Sequence, residues 1–282
     1  MQILILGGGT SGIFSALTLI DKGFKGENIT ILDKGRMIDK RICFVNDETN
    51  CKKCTTCSIV NGVGGSGSYS DSKLNFDTSG RIGGNMYELM TQEEIAEYLK
   101  KTYEIYEQFG IQEFQSPIYG LDLSDKAEEI INEIHKHPQL DIGECATLHL
   151  GSENSRIIYK RMIDHLLDNG VSILSNTEVL SVDSNNKLVH TKDNTFSYDK
   201  LIIAMGRSGN SLIKKICESN DIKCTTGSID IGVRVECPNH VMEQLNNNFY
   251  ECKIYFKGTF GDRARMFCTN PSGFVTVENY KH

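Results

Sequence analysis

The chain opens with Gln2-Ile-Leu-Ile-Leu-Gly7-Gly8-Gly9-Thr10-Ser11-Gly12, an apolar run that passes directly into G-x-G-x-x-G. About twenty residues later a second apolar run, Ile29-Thr-Ile-Leu, ends in Asp33, the spacing of a dinucleotide-binding βαβ unit. Each glycine has a separate reason. Gly7 permits the tight strand-to-helix turn, Gly9 lets backbone approach a pyrophosphate, and Gly12 lets helix and strand come close. The N-terminus of the helix expected over residues 11–22 presents free N–H groups of Thr10 and Ser11 and a partial positive charge, which suits phosphate. Asp33 is placed to accept hydrogen bonds from ribose hydroxyls, with Lys34 beside it. Such a unit predicts an α/β fold of the Rossmann type.

Composition narrows the functional classes. The 282 residues are 39% hydrophobic and 24% charged, with four prolines and a net charge of −7. No basic block is present, which argues against a nucleic-acid surface. No apolar run approaches the length of a membrane span. The first strand begins at residue 2, leaving no room for a leader, so a cytoplasmic protein is expected. Its ten cysteines are then expected to be thiols, ligands or redox centres rather than disulfides.

Along the chain, residues 36–85 form a polar, Cys- and Gly-rich stretch without periodicity. Thr91-Gln-Glu-Glu94 reads as a capping box that opens a helix to about Phe109. Further helices are expected over 124–137, 155–169 and 211–220. Strands are expected at 147–150, 171–174, 177–182, 187–191, 195–198 and 201–205. The organisation read from this is a Rossmann segment with the Cys/Gly-rich loop (1–85), a helical insertion (86–150), the return of the nucleotide-binding domain (151–210) and the start of a second, substrate or cap region (211–282).

Two later features favour FAD over NAD. Leu201-Ile-Ile-Ala204-Met-Gly206 has the form of the strand by which two-part flavoproteins return to the nucleotide, and the strands around Val179 suit a backbone contact to adenine. No second G-x-G-x-x-G marks an integral NAD(P)H domain, so the electron donor or acceptor stays unassigned.

The segment Asn61-Gly-Val-Gly64-Gly65-Ser66-Gly67-Ser-Tyr-Ser70-Asp71-Ser-Lys73-Leu-Asn75 carries the most specific pattern. Its glycines let backbone lie against a flat ligand, and Ser70, Asp71 and Lys73 bring polar groups beside it. It resembles the G-x-G-G-[AS]-G-[ASF]-x-S-D-[GS]-K-L signature of a family of bacterial FAD-dependent dehydrogenases, distantly akin to geranylgeranyl reductases. Residues 230–236 (D-I-G-V-R-V-E) and 265–273, with Cys268 and Pro271, are similar to two further elements of that family. Ser72 replaces its usual glycine. The resemblance implies a two-part flavoprotein fold with an inserted α+β region, bound FAD, and contact of the 63–73 segment with flavin or pyrophosphate. Lys73 and Cys268 become candidate catalytic residues. Members continue past the Cys268 element, so the chain reads as an N-terminal portion.

Cys43, Cys51, Cys54 and Cys57 stand just before the glycine segment. As C-x2-C-x2-C plus a fourth thiol they could hold zinc or an iron–sulfur cluster, or a pair could exchange electrons with flavin as a dithiol; ordinary solvent-side thiols are the third possibility. The other scattered cysteines read as structural, and His135 and His137 as solvated. The resulting expectation is an FAD-dependent oxidoreductase acting on a small-molecule substrate. The alternative is a non-catalytic nucleotide-binding fragment that needs a partner chain.

Overall fold

The computed structural model describes residues 1–45, 48–69, 72–76, 86–114, 118–119, 123–143, 146–225, 229, 231–249, 251–273 and 277–279. The chain divides into two units, one of residues 1–72, 151–229 and 276–282, the other of residues 73–150 and 230–275.

The first unit is α/β. Its centre is a parallel sheet ordered Lys200–Ile203, Ile3–Leu6, Ile29–Leu32, Ser172–Leu174. Alternation divides its apolar residues between two faces. Leu4, Leu6 and Leu32 form a cluster with Val189, backed by Val179, Val182 and Phe196 from the antiparallel meander Val179–Asp183, Leu188–Thr191, Thr195–Ser197. Ile5 and Ile31 are fully buried on the opposite side, as are Ile13 and Ala16 of the first helix, Thr10–Asp21, and Ile158 and Met162 of the helix Ser152–Asp168.

The second unit is α+β. Lys73–Asn75, Thr147–His149 and Ile118–Tyr119 pair antiparallel, with the middle strand at the centre. A second antiparallel sheet places Lys253–Lys257 between Leu140–Gly143 and Arg263–Arg265. Ala127, Ile142, Phe249 and Cys252 form its core with Ile130, Ile134 and Ile254, beneath the helices Asp125–His135 and Asn239–Phe249. The expected capping box is present at Thr91, whose hydroxyl accepts from Glu94 N while Glu94 accepts from Thr91 N, opening Gln92–Gln108.

Two local expectations are corrected. The helix expected from Ser155 begins at Ser152, because Gly151, at φ +79°, turns the chain; Ser155 is buried inside the first turns, and its hydroxyl donates to Gly67 O at 3.0 Å. The stretch read as a loop without periodicity contains short 3-10 turns at Ile38–Lys40 and Ser66–Tyr69 and the strand Lys73–Asn75. Among the described residues no helix is long and apolar enough to cross a membrane.

Candidate functional site

Every strand of the parallel sheet ends at one cleft. Gly7 follows the first strand, Asp33 the second, Ser175 to Thr177 the third and Ala204 the fourth, which is where open α/β sheets place ligands. Backbone bonds hold these ends together: Gly7 N to Leu32 O at 2.8 Å, Ala204 N to Leu6 O at 2.7 Å and Thr177 N to Asp33 O at 2.8 Å. The cleft measures about 580 Å³ and lies within the first unit. That volume falls inside the range of cofactor pockets.

The first glycine turn forms one wall, and its three glycines behave differently. Gly7 sits at φ +104°, where other residues are strained, and a Cβ there collides with Ala204 backbone. A Cβ on Gly12 collides with Gly7 O, so Gly12 serves the close approach of helix to strand and does not line the cleft. Gly9 has an ordinary φ of −77°, and the nearest heavy atom to an added Cβ, Gly65 Cα, is 3.7 Å away. A methyl group therefore fits the protein there and occupies only the cleft. Gly9 also caps the first helix without any side-chain bond, and no acidic residue stands in the first turn. The helix terminus is left for an anion.

The second glycine segment lies directly on the first. Gly64 N donates to Gly8 O at 2.8 Å, and a Cβ on Gly65, at φ +65°, comes within 2.8 Å of Gly9 Cα. Only glycine allows two backbones this close. Gly65 and Ser66 line the cleft, whereas Gly64 turns against Ser68 and Gly67 against Thr10 Oγ1 and Tyr159 Oη. Thr10 Oγ1 and Tyr159 Oη are 2.7 Å apart, tying the first helix to the later one.

Asp33 is almost fully buried, and its carboxylate accepts from Gly8 N at 2.9 Å and Gly35 N at 2.8 Å. It thus holds the glycine turn as well as lining the cleft. Gly7, Gly9, Thr10, Ser11, Asp33, Lys34, Val179, Ala204 and Gly206 all line this wall or its continuation. Ser70 and Asp71 lie outside the described residues. Lys73 is not part of the cleft: it belongs to the second unit, where Nζ lies 3.0 Å from Cys268 Sγ and 3.0 Å from Glu251 Oε2.

Sequence reasoning missed the residue that builds the second glycine segment. Arg41 is fully buried, and its guanidinium donates to the carbonyls of Ser58, Ile59, Val63 and Gly65 and to Ser68 Oγ, at 2.7–3.1 Å. The Tyr69 ring lies 4.4 Å from its Cζ, and Tyr69 Oη donates back to Arg41 O. Burial lowers the Arg41 pKa to about 10, which leaves it charged at neutral pH. A loop without ladder partners must satisfy its carbonyls by other means, and the three guanidinium nitrogens do so here for four of them. An arginine in a polar stretch has no signature of its own; the glycine segment's surplus of unpaired carbonyls was the available signal.

The metal expectation is not met. Among the described residues no group of three or more His, Cys, Asp or Glu side chains is arranged to hold a metal ion. Cys43, Cys51, Cys54 and Cys57 border one small hollow, but Cys57 is buried while Cys43 and Cys54 face solvent, and all four are free thiols. Cys57 O accepts from Asn61 N at 2.9 Å in the turn leading into the glycine segment, so Cys57 sits in a buried turn while Cys43 and Cys54 lie on exposed backbone.

No family model matches the chain, and no curated protein does. Among solved structures it is similar to L-amino acid deaminase from Proteus vulgaris, at 12% identity over 76% of this chain and 55% of that one, with a TM-score of 0.43. It is similar to glycine oxidase from Bacillus cereus at 16% identity over 76% and 57%, TM-score 0.41. A third, 3-ketosteroid-Δ4-(5α)-dehydrogenase from Rhodococcus jostii, shares 11% identity over 77% and 48%, TM-score 0.42. The chain spans about half the length of each.

Proposed function

We propose that the first unit binds FAD and that the protein is an FAD-dependent oxidoreductase acting on a small molecule. The observation that carries this reading is the cleft at the strand ends, walled by two glycine segments in backbone contact and closed by a buried carboxylate. The residues present fit a dinucleotide. The uncapped N-terminus of the first helix and the space beside Gly9 suit the pyrophosphate. Asp33 Oδ1 and Oδ2 each accept one backbone N–H, and a carboxylate oxygen can accept a second bond, which suits ribose hydroxyls. Val179, Ala204 and Gly206 offer backbone to the remainder. When bound, FAD supplies hydride or single-electron transfer through its isoalloxazine ring. The chain's part is to orient it: Arg41 fixes the second glycine segment, and that segment fixes Gly65 and Ser66 against the cleft.

The test uses the one glycine whose methylation the fold tolerates. Gly9→Ala should lower FAD affinity at least about tenfold, measured by titration with flavin fluorescence, while leaving the thermal midpoint within a degree or two; tenfold corresponds to about 1.4 kcal/mol. Unchanged affinity in the folded variant sinks the reading.

A further inference from the structure

The helix Asn210–Ser219 meets the cleft at one end and a pair of thiols at the other. Asn210, Leu212 and Ile213 line the cleft, and Cys217 stands in the last turn. Beyond it the chain folds back on the helix. Ile222 N donates to Cys217 O at 2.9 Å and Asn220 N to the same oxygen at 3.2 Å, while Asp221 takes the left-handed conformation at φ +54°. This is the Schellman closure of a helix, with aspartate where glycine is usual. Asn220 Nδ2 donates to Ile216 O at 2.7 Å and fastens the turn from the side.

The reversal returns Cys224 to the helix end, where its thiol and that of Cys217 are hydrogen-bonded to each other. Cys224 Sγ also donates to Ile222 O at 3.7 Å. A thiol has one proton to give, so Cys217 is the donor between the two sulfurs and Cys224 the acceptor. That bond, and then desolvation, hold the Cys217 thiol above its ordinary pKa, so Cys217 keeps its proton toward its neighbour. Both thiols are free; Cys224 is exposed and Cys217 half-buried.

We propose that Cys217 and Cys224 form a reversible dithiol–disulfide pair whose oxidant is a low-molecular-weight disulfide. Exposed Cys224 gives its proton to solvent, and its thiolate attacks one sulfur of the small disulfide. The bond between Cys224 and that sulfur forms, the small molecule's own S–S bond breaks, and one half departs as a thiolate with the electron pair. Cys217 then loses its proton to solvent and attacks Cys224 Sγ. The Cys217–Cys224 bond forms, and the second half departs as a thiolate. Two electrons leave the protein, and the small disulfide is reduced to two thiolates. The new bond staples the last turn of the helix to the chain beyond it, at the end away from the cleft. No cofactor takes part, so the inference stands apart from the proposed FAD site.

The experiment exposes the whole folded protein to oxidised glutathione, blocks the remaining thiols and maps every cysteine by mass spectrometry after trypsin. Lys223 lies between the two cysteines, so their disulfide appears as a linked pair of peptides. Exposed Cys237 serves as the reference for simple adduct formation, and buried Cys57 and Cys252 report unfolding. Linked peptides should exceed glutathione adducts at Cys217 and Cys224 by at least about tenfold, because the second thiol is already in place, whereas Cys237 should carry the adduct alone. Reduced glutathione should restore both thiols, and Cys217→Ser should leave Cys224 as the adduct. Amide exchange over residues 217–224 should slow in the oxidised protein. Adduct that persists at Cys224 of the unaltered protein without linked peptides overturns the pair, as does linkage of either cysteine to Cys237 as readily as to the other. Linkage that reduced glutathione leaves intact overturns the reversibility, and unchanged amide exchange overturns the staple.

Discussion

Each unit buries a cation, and each does so by a different means. Arg41 in the first unit is surrounded by backbone dipoles: four carbonyls and a hydroxyl receive its protons, and an aromatic ring lies over it. Lys253 and Lys73 in the second unit face a full negative charge on Glu251. The difference separates architecture from chemistry. A cation met by carbonyls is tied to one conformation of the loop that supplies them. A cation met by a carboxylate is tied to another side chain rather than to the backbone of one loop.

The comparison predicts its largest effect at Arg41. Arg41→Met removes five hydrogen bonds and strands buried carbonyls around residues 58–65, which should cost about 3–5 kcal/mol in urea unfolding. Amide exchange over the same residues should quicken. A loss below about 1 kcal/mol would show that water or a rearranged loop replaces the guanidinium, and the architectural role would fail.

A smaller loss is expected at Lys253. Lys253→Met leaves Glu251 paired with Lys73, so the carboxylate keeps a counter-charge, and the variant should lose about 1–3 kcal/mol by the same measurement. A loss as large as that of Arg41→Met would mean that the second unit depends on its charges for folding as fully as the first does, and the contrast would collapse.

The dinucleotide turn was legible because its requirements are steric and local. Gly7 and Gly12 each answer a constraint of the fold that only glycine meets, Gly9 leaves space in the cleft, and Asp33 falls at a strand end set by the preceding apolar run. The second glycine segment was recognised as ligand-like, but not that it leans on Gly8 and Gly9, because contacts between segments more than fifty residues apart leave no periodicity. Arg41 was invisible because the carbonyls it serves, 17 to 24 residues further on, follow no periodic spacing. Lys73 and Cys268 were each marked as candidates, yet their meeting was not foreseeable: 195 residues separate them, and Glu251, which positions Lys73, stands in no motif. The cysteine spacing misled in the other direction. C-x2-C-x2-C permits a common ligand shell, but Cys57 is buried where Cys43 and Cys54 are exposed, and among the described residues no metal-holding group forms.

The finest test of the contrast is Cys252, which follows Glu251 and precedes Lys253 in the second unit's core. Burial, partly opposed by the Lys253 charge, pushes its thiol up to about 11, from the model-compound value of 9.0. The sign follows from linkage. Below pH 9 the thiol is protonated whether the chain is folded or not, and its contribution to stability is fully present. Between pH 9 and 11 the unfolded chain releases the proton that the folded chain retains, so stability falls as pH rises. Thermal midpoints of the unaltered protein and of Cys252→Ala should therefore run parallel below pH 9 and converge above it. Comparing the two curves removes the background titration of lysines and tyrosines. Parallel curves throughout would mean that the thiol ionises as readily inside as outside. The charged group beside it would then make the core of the second unit far more polar than its apolar neighbours Ala127, Ile142 and Phe249 imply.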